Sequence, residues 1–101
     1  MPAPVLTLIT YTAKPGSEEQ VEGLLRTHVA RLRELGLVAD KPAWVAAVAG
    51  QPGMFLESFW WAAAGSRQIA EDSSEIQEIW MRAEDLCVAG GVKHQSLRLL
   101  E

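Results

Sequence analysis

Two side chains in this 101-residue sequence combine acid–base chemistry with an apolar setting. His28 falls in a run whose apolar residues Val21, Leu24, Leu25, Val29, Leu32 and Leu35 recur at the spacing of one helix face, so it points inward. An imidazole there can act as a general base or donate to a substrate oxygen, because it titrates near neutral pH and is cheaply kept uncharged. It can equally be a core histidine satisfied by a backbone carbonyl or a side-chain partner. Glu57, between Leu56 and Ser58, shares its alternation face with Phe55, Phe59 and Trp61. If that face meets helices, Glu57 can pair with His28 and orient it as a base dyad. If it meets a partner sheet, Glu57 is a buried structural group. Both neighbouring faces are apolar, so alternation leaves the choice open.

The aromatic residues are the second group. Of four tryptophans, Trp61 and Trp80 are candidate walls for an aromatic ligand, while Trp44 and Trp60 read as core or interface packing. Tyr11, at the end of an apolar run, could donate its hydroxyl to a substrate oxygen. His94 alternates with Val92 and Ser96 on a face expected to lie outside the pocket. With two separated histidines and no acidic residue at helical spacing from either on an apolar face, no metal site is expected. Cys87 is the one cysteine, which excludes an internal disulfide and a cysteine-built metal site and suits a reducing cytoplasm; it is expected to pack as a small apolar residue.

The elements that must position these residues are readable from pattern. Val5 to Thr12 is a β-branched strand ending at Lys14-Pro15-Gly16. Ser17 and Gln20 have capping-box spacing ahead of a helix over about 18–35, stopped by Gly36. Lys41 to Gly50 and Gly53 to Trp61 form a hairpin of two strands. A short helix over about 63–71 precedes a longer one that opens at Ser74 to Gln77, carries Ile76, Ile79, Trp80, Ala83 and Cys87 as its buried stripe, and ends at Gly90-Gly91. Val92 to Leu99 is the last strand.

This order predicts a single α+β domain over 1–101, ferredoxin-like βαββαβ, with helices on one face of a four-stranded antiparallel sheet. Since the strand from Met54 to Trp61 is apolar on both sides, the bare face is expected to meet a second copy, giving a sheet-to-sheet homodimer. Nine Lys plus Arg against 13 Asp plus Glu, with no basic run, argue against nucleic acid or an anionic membrane as partner. No apolar stretch approaches the roughly 18 to 20 residues of a membrane helix. The opening residues lack the pattern of a signal peptide, so a cytoplasmic location is expected.

Three stretches resemble the antibiotic biosynthesis monooxygenase family of the dimeric α+β barrel superfamily: Lys14-Pro15-Gly16 with Glu18, Phe55-Leu56-Glu57 running to Trp61, and Ser73 to Trp80. The resemblance implies a pocket between sheet and helices in which some members oxidise phenolic or quinol-like substrates with molecular oxygen and no bound cofactor. Haem-degrading relatives carry a histidine where this chain has Trp80 and a tryptophan where it has Ala70, so haem degradation is not implied. Many relatives have an Ala-His pair where this chain reads Ala70-Glu71, so a base must come from elsewhere.

Two readings follow. In one, the protein is a cofactor-independent monooxygenase or oxidase of a small aromatic substrate (phenolic, quinol or polyketide-like), with His28 and Glu57 as base and Trp61, Trp80 and Tyr11 around the ligand. In the other it is a non-catalytic dimer that binds a small molecule or serves structurally. An isomerase or decarboxylase of the same superfamily needs the same parts as the first.

Overall fold

The β-branched opening run forms β1 (Leu6–Ala13), whose side chains alternate strictly between half-buried and buried positions. In the computed structural model, which describes residues 6–100, the expected first residue of this strand, Val5, lies outside the described residues. Helix α1 (Glu18–Glu34) follows and buries Val21, Leu25, His28, Val29 and Leu32; of the rest of the expected stripe, Leu24 is half-buried and Leu35, just past the helix end, is exposed. Strands β2 (Trp44–Ala47) and β3 (Met54–Trp60) make the hairpin. Two helices, α2 (Ser66–Asp72) and α3 (Ser74–Leu86), precede β4 (Cys87–Leu97). The sheet order is β2-β3-β1-β4 with every neighbouring pair antiparallel, a ferredoxin-like α+β fold.

Register assigns the faces. Ile9 pairs with Glu57 on one side and His94 on the other, and Glu57 pairs in turn with Val45. Thr7, Ile9, Tyr11, Ala13, Phe55, Glu57 and Phe59 are buried under the helices together with the α1 stripe. Leu8, Leu56 and Trp60 project to the opposite face, where they are only half-buried. Trp44, on that same face of the edge strand, is 47% exposed.

Strand β2 is shorter than the expected Lys41 to Gly50, and three further local details differ from expectation. Ser17 makes no side-chain cap; the Glu18 carboxylate instead accepts from the Gly16 amide at 2.7 and 2.9 Å. The cap of α3 is Ser73, whose hydroxyl oxygen accepts from the Ile76 amide, one residue before the expected box. The third difference is larger. Helix α3 ends at Leu86, and Cys87 opens β4 opposite Ala13, so neither Cys87 nor Gly90-Gly91 belongs to a helix. The glycine pair lies in a bulge, where the register jumps from Tyr11↔Val92 to Ala13↔Cys87. Gly90 takes φ +70°, and a Cβ on Gly91 would stand 2.8 Å from the Val88 carbonyl oxygen and 2.9 Å from that of Thr12. The backbone crossing there is closer than any side chain allows.

Candidate functional site

A single chain of hydrogen bonds crosses the interior from sheet to helices. The Tyr11 hydroxyl of β1 donates to Glu57 Oε1 at 2.8 Å. His28 Nδ1 of α1 lies 2.9 Å from Glu57 Oε2 and 3.1 Å from Oε1. Trp80 Nε1 of α3 donates to His28 Nε2 at 2.9 Å. Glu57 and His28 are 0% and 1% exposed, and Tyr11 is buried beside them. The face of Glu57 is therefore the helix face, where it meets His28.

Donor and acceptor rules assign the protons. An indole N–H can only donate, so His28 Nε2 must offer its lone pair. The ring proton then sits on Nδ1 and is donated to the carboxylate. The other tautomer would set two N–H groups against each other at Trp80 and two acceptors against each other at Glu57. His28 is thus an uncharged imidazole oriented by an acid, with its one free lone pair covered by an indole. Among the described residues no buried side-chain nitrogen or oxygen lacks a partner.

Rings pack around this chain. Phe59 meets His28 edge-on at 6.2 Å between centroids, and Trp61 meets Phe59 edge-on at 5.0 Å. Trp61 is buried one ring away from the imidazole and takes no part in the hydrogen-bond chain. Tyr11, expected to offer its hydroxyl to a ligand, has it engaged by Glu57. Trp80, expected as a wall, is a hydrogen-bond donor as well, half-buried at the α1–α3 seam. That role had a signal in the sequence: a tryptophan on an inward stripe needs an acceptor for its N–H, and His28 stands on the facing stripe. The Arg31 guanidinium, one turn beyond His28, forks onto Glu75 of α3 and clamps the same seam.

Burial and then the neighbouring Glu57 carboxylate push the Tyr11 phenol far above its usual value of 10.0. The folded state therefore favours the neutral phenol. Stability from this group is constant below pH about 10 and is lost above it, at about 1.4 kcal/mol per pH unit, because only the unfolded chain releases the proton. Tyr11 is the sole tyrosine, so absorbance near 295 nm reads it directly. In an alkaline titration the tyrosinate signal should rise only together with loss of far-ultraviolet ellipticity. A step near pH 10 with the fold intact would refute the arrangement.

The remaining candidates lie apart. His94 pairs with Ile9 on edge strand β4, on the helix face but at its open margin, where desolvation and then the Arg67 charge hold its imidazole below the usual value. Cys87 is buried at the start of β4 and burial pushes its thiol up, which keeps it unreactive. Lys41 lies 4.6 Å over the Trp60 ring on the uncovered face. A groove of about 430 Å³ runs between α1 and β2, lined by Glu22, Arg26, Val45, Ala46, Ala47 and Phe55, and none of the four chain members lines it. Pattern alone gave no sign of the groove. Among the described residues no group of three or more His, Cys, Asp or Glu could hold a metal ion, and no helix is long and apolar enough to cross a membrane.

No family model matches the sequence, and no curated protein matches it significantly. Solved structures do. A protein from Pseudomonas aeruginosa superposes with a TM-score of 0.81 at 21% identity, over 100% of this chain and 98% of its own. SnoaB, a cofactor-independent oxygenase from Streptomyces nogalater, gives 0.81 at 9% identity over 97% and 94%. An antibiotic biosynthesis monooxygenase gives 0.79 at 13% identity over 96% and 99%. At such identities the likeness is one of backbone architecture. The chain carries the fold of the antibiotic biosynthesis monooxygenases, the group its own motifs resemble.

Proposed function

We propose that this protein is a cofactor-independent oxygenase of a small electron-rich aromatic, phenolic or anthrone-like, working as a sheet-to-sheet homodimer. The observation that carries the reading is the buried imidazole–carboxylate pair: an uncharged His28 whose Nδ1–H is held by Glu57 and whose basic nitrogen is Nε2. His28 is the base, Glu57 orients it, Tyr11 holds Glu57, and Trp61 and Trp80 border the aromatic ligand. The fold shared with a cofactor-independent oxygenase supports the same reaction class.

The chemistry needs only these parts and oxygen. His28 Nε2 takes an acidic proton from the substrate, and the imidazolium that forms is stabilised by the Glu57 carboxylate. The resulting anion passes one electron to dioxygen, and superoxide combines with the substrate radical at the ring carbon to give a peroxide. For an anthrone, the O–O bond then breaks: one oxygen stays as the new carbonyl, and the other leaves as water with the proton returned by His28 and the second hydrogen of that carbon. One anthrone and one dioxygen give one quinone and one water.

Oxygen uptake tests this on a panel of anthrones and hydroquinones. His28→Gln should lower oxygen-dependent turnover by at least about 100-fold, the lower range of general-base contributions, while the chain still unfolds cooperatively. Unchanged turnover in that variant would remove His28 from the reaction. Substrate consumed without oxygen would point to a decarboxylase or isomerase using the same base.

One observation favours a second reading, a non-catalytic dimer that binds a small molecule or serves structurally. Every polar atom of the Tyr11–Glu57–His28–Trp80 chain is already satisfied within the protein. No oxygen uptake across the panel would favour it.

A further inference from the structure

The His28 lone pair is the one basic site of the buried chain, and the side chain covering it is the chain's outermost member. Trp80 is half-buried where Tyr11, Glu57 and His28 are fully buried. Its indole N–H approaches Nε2 at 2.9 Å, as any hydroxyl donor would have to. Nε2 is the one ring nitrogen left to accept, because Nδ1 is committed to Glu57. Arg31 forks onto Glu75 one turn away and ties α1 to α3 at the surface. Rotation of the indole about its own side-chain bonds leaves that tie intact.

From this geometry we infer that Trp80 is an internal stand-in for the ligand: its indole N–H holds the position on His28 Nε2 that an aromatic hydroxyl takes when Trp80 swings out. The inference rests on the proposed role of His28 and narrows the substrate class. The ligand must present an O–H donor to Nε2, so an enolised anthrone or a phenol qualifies and its O-methyl ether does not. Trp80 is then a specificity-determining residue. An ether leaves Nε2 without a donor once the indole has moved, and that unmade hydrogen bond opposes binding. In the resting chain the indole keeps Nε2 satisfied.

The test uses naphthol, an aromatic hydroxyl probe, and naphthol methyl ether, of nearly the same shape with no donor. The four indole N–H signals are followed by proton–nitrogen correlation NMR, with the Trp80 signal identified by its loss in Trp80→Phe. Naphthol should move the Trp80 signal toward that of free indole, leave those of Trp44 and Trp60 on the opposite face in place, and bind at least about tenfold more tightly than the ether, the equivalent of one hydrogen bond. Trp80→Phe, which keeps a ring and removes the competing donor, should bind naphthol several-fold more tightly. Absence of naphthol binding, equal affinity for the ether, or binding that leaves the Trp80 signal unmoved would overturn the inference, as would unchanged or weaker binding by a folded Trp80→Phe. If that variant does not fold, the affinities of the unmodified chain for naphthol and for its ether decide the matter. Displacement of Trp80 by naphthol without oxygen uptake on any substrate would leave this inference standing and remove the oxygenase. Oxygen uptake with an unmoved Trp80 signal would do the reverse.

Discussion

Glu57→Leu should destabilise the protein by about 3 to 5 kcal/mol, because it withdraws the shared acceptor of two buried donors. The Tyr11 hydroxyl and His28 Nδ1–H both end on this carboxylate, at 2.8 and 2.9 Å, in a part of the molecule that water does not reach. Neither donor has a second acceptor in the structure. His28 cannot recover by changing tautomer, since Trp80 already claims Nε2 as an acceptor. For a chain of this length the loss corresponds to a fall in Tm of about 15 to 30 °C. Glu57→Gln should cost far less, about 1 to 2 kcal/mol: its amide oxygen can accept from Nδ1–H while its NH2 donates to a Tyr11 hydroxyl turned the other way. Urea unfolding followed by circular dichroism measures both. A Leu variant within about 1 kcal/mol of the parent would mean that the four groups are not coupled as described.

The same logic makes these substitutions non-additive. His28→Leu alone leaves a buried carboxylate with one donor, the Tyr11 hydroxyl, and is expected to cost as much as Glu57→Leu. Combined, the two changes remove both hydrogen-bonded partners together and replace them with apolar volume, so the double variant should be more stable than the sum of the single losses predicts, by about 2 kcal/mol. A network kept for chemistry is compatible with that result. It would show that the two side chains stabilise the fold as a pair.

How much of this could be read beforehand depended on which pattern carried the information. Helical spacing placed Val21, Leu25, His28 and Leu32 on one stripe, and the structure buries all four. The ferredoxin-like fold class followed from element order, because short connections leave few topologies. The face of Glu57 did not, since strand alternation is symmetric and Leu56 and Trp60 make the other face apolar too. It became definite only through the register Val45↔Glu57↔Ile9, which sets the carboxylate under α1. Trp80 was readable as inward-facing, but its N–H partner lies 52 residues away across a helix seam. The α3–β4 junction was misread for a different reason. A Gly-Gly pair after an amphipathic run signals a helix stop as well as it signals a bulge, and only pairing with β1 distinguishes the two.

That bulge is where the second large effect is expected. Gly91→Ala should cost about 2 to 3 kcal/mol, since its methyl group would lie 2.8 and 2.9 Å from two carbonyl oxygens that belong to the backbone and cannot rotate away. Gly90→Ala tests a different penalty one residue earlier. The site is open, so its cost comes from φ +70° alone, about 1 to 2 kcal/mol, and Gly90→Asn should recover part of it because asparagine tolerates that conformation. No residue type should rescue position 91, because every side chain begins with the same Cβ. The strain would also reach the site. Tyr11 pairs with Val92 immediately beyond the bulge, so relief by shifting β1 away from β4 would move the phenol that holds Glu57. Thermal unfolding of the three variants separates these mechanisms: equal losses at 90 and 91 would indicate that backbone conformation accounts for both, whereas a larger loss at 91 that asparagine does not repair assigns the cost to the crossing of Gly91 over Thr12.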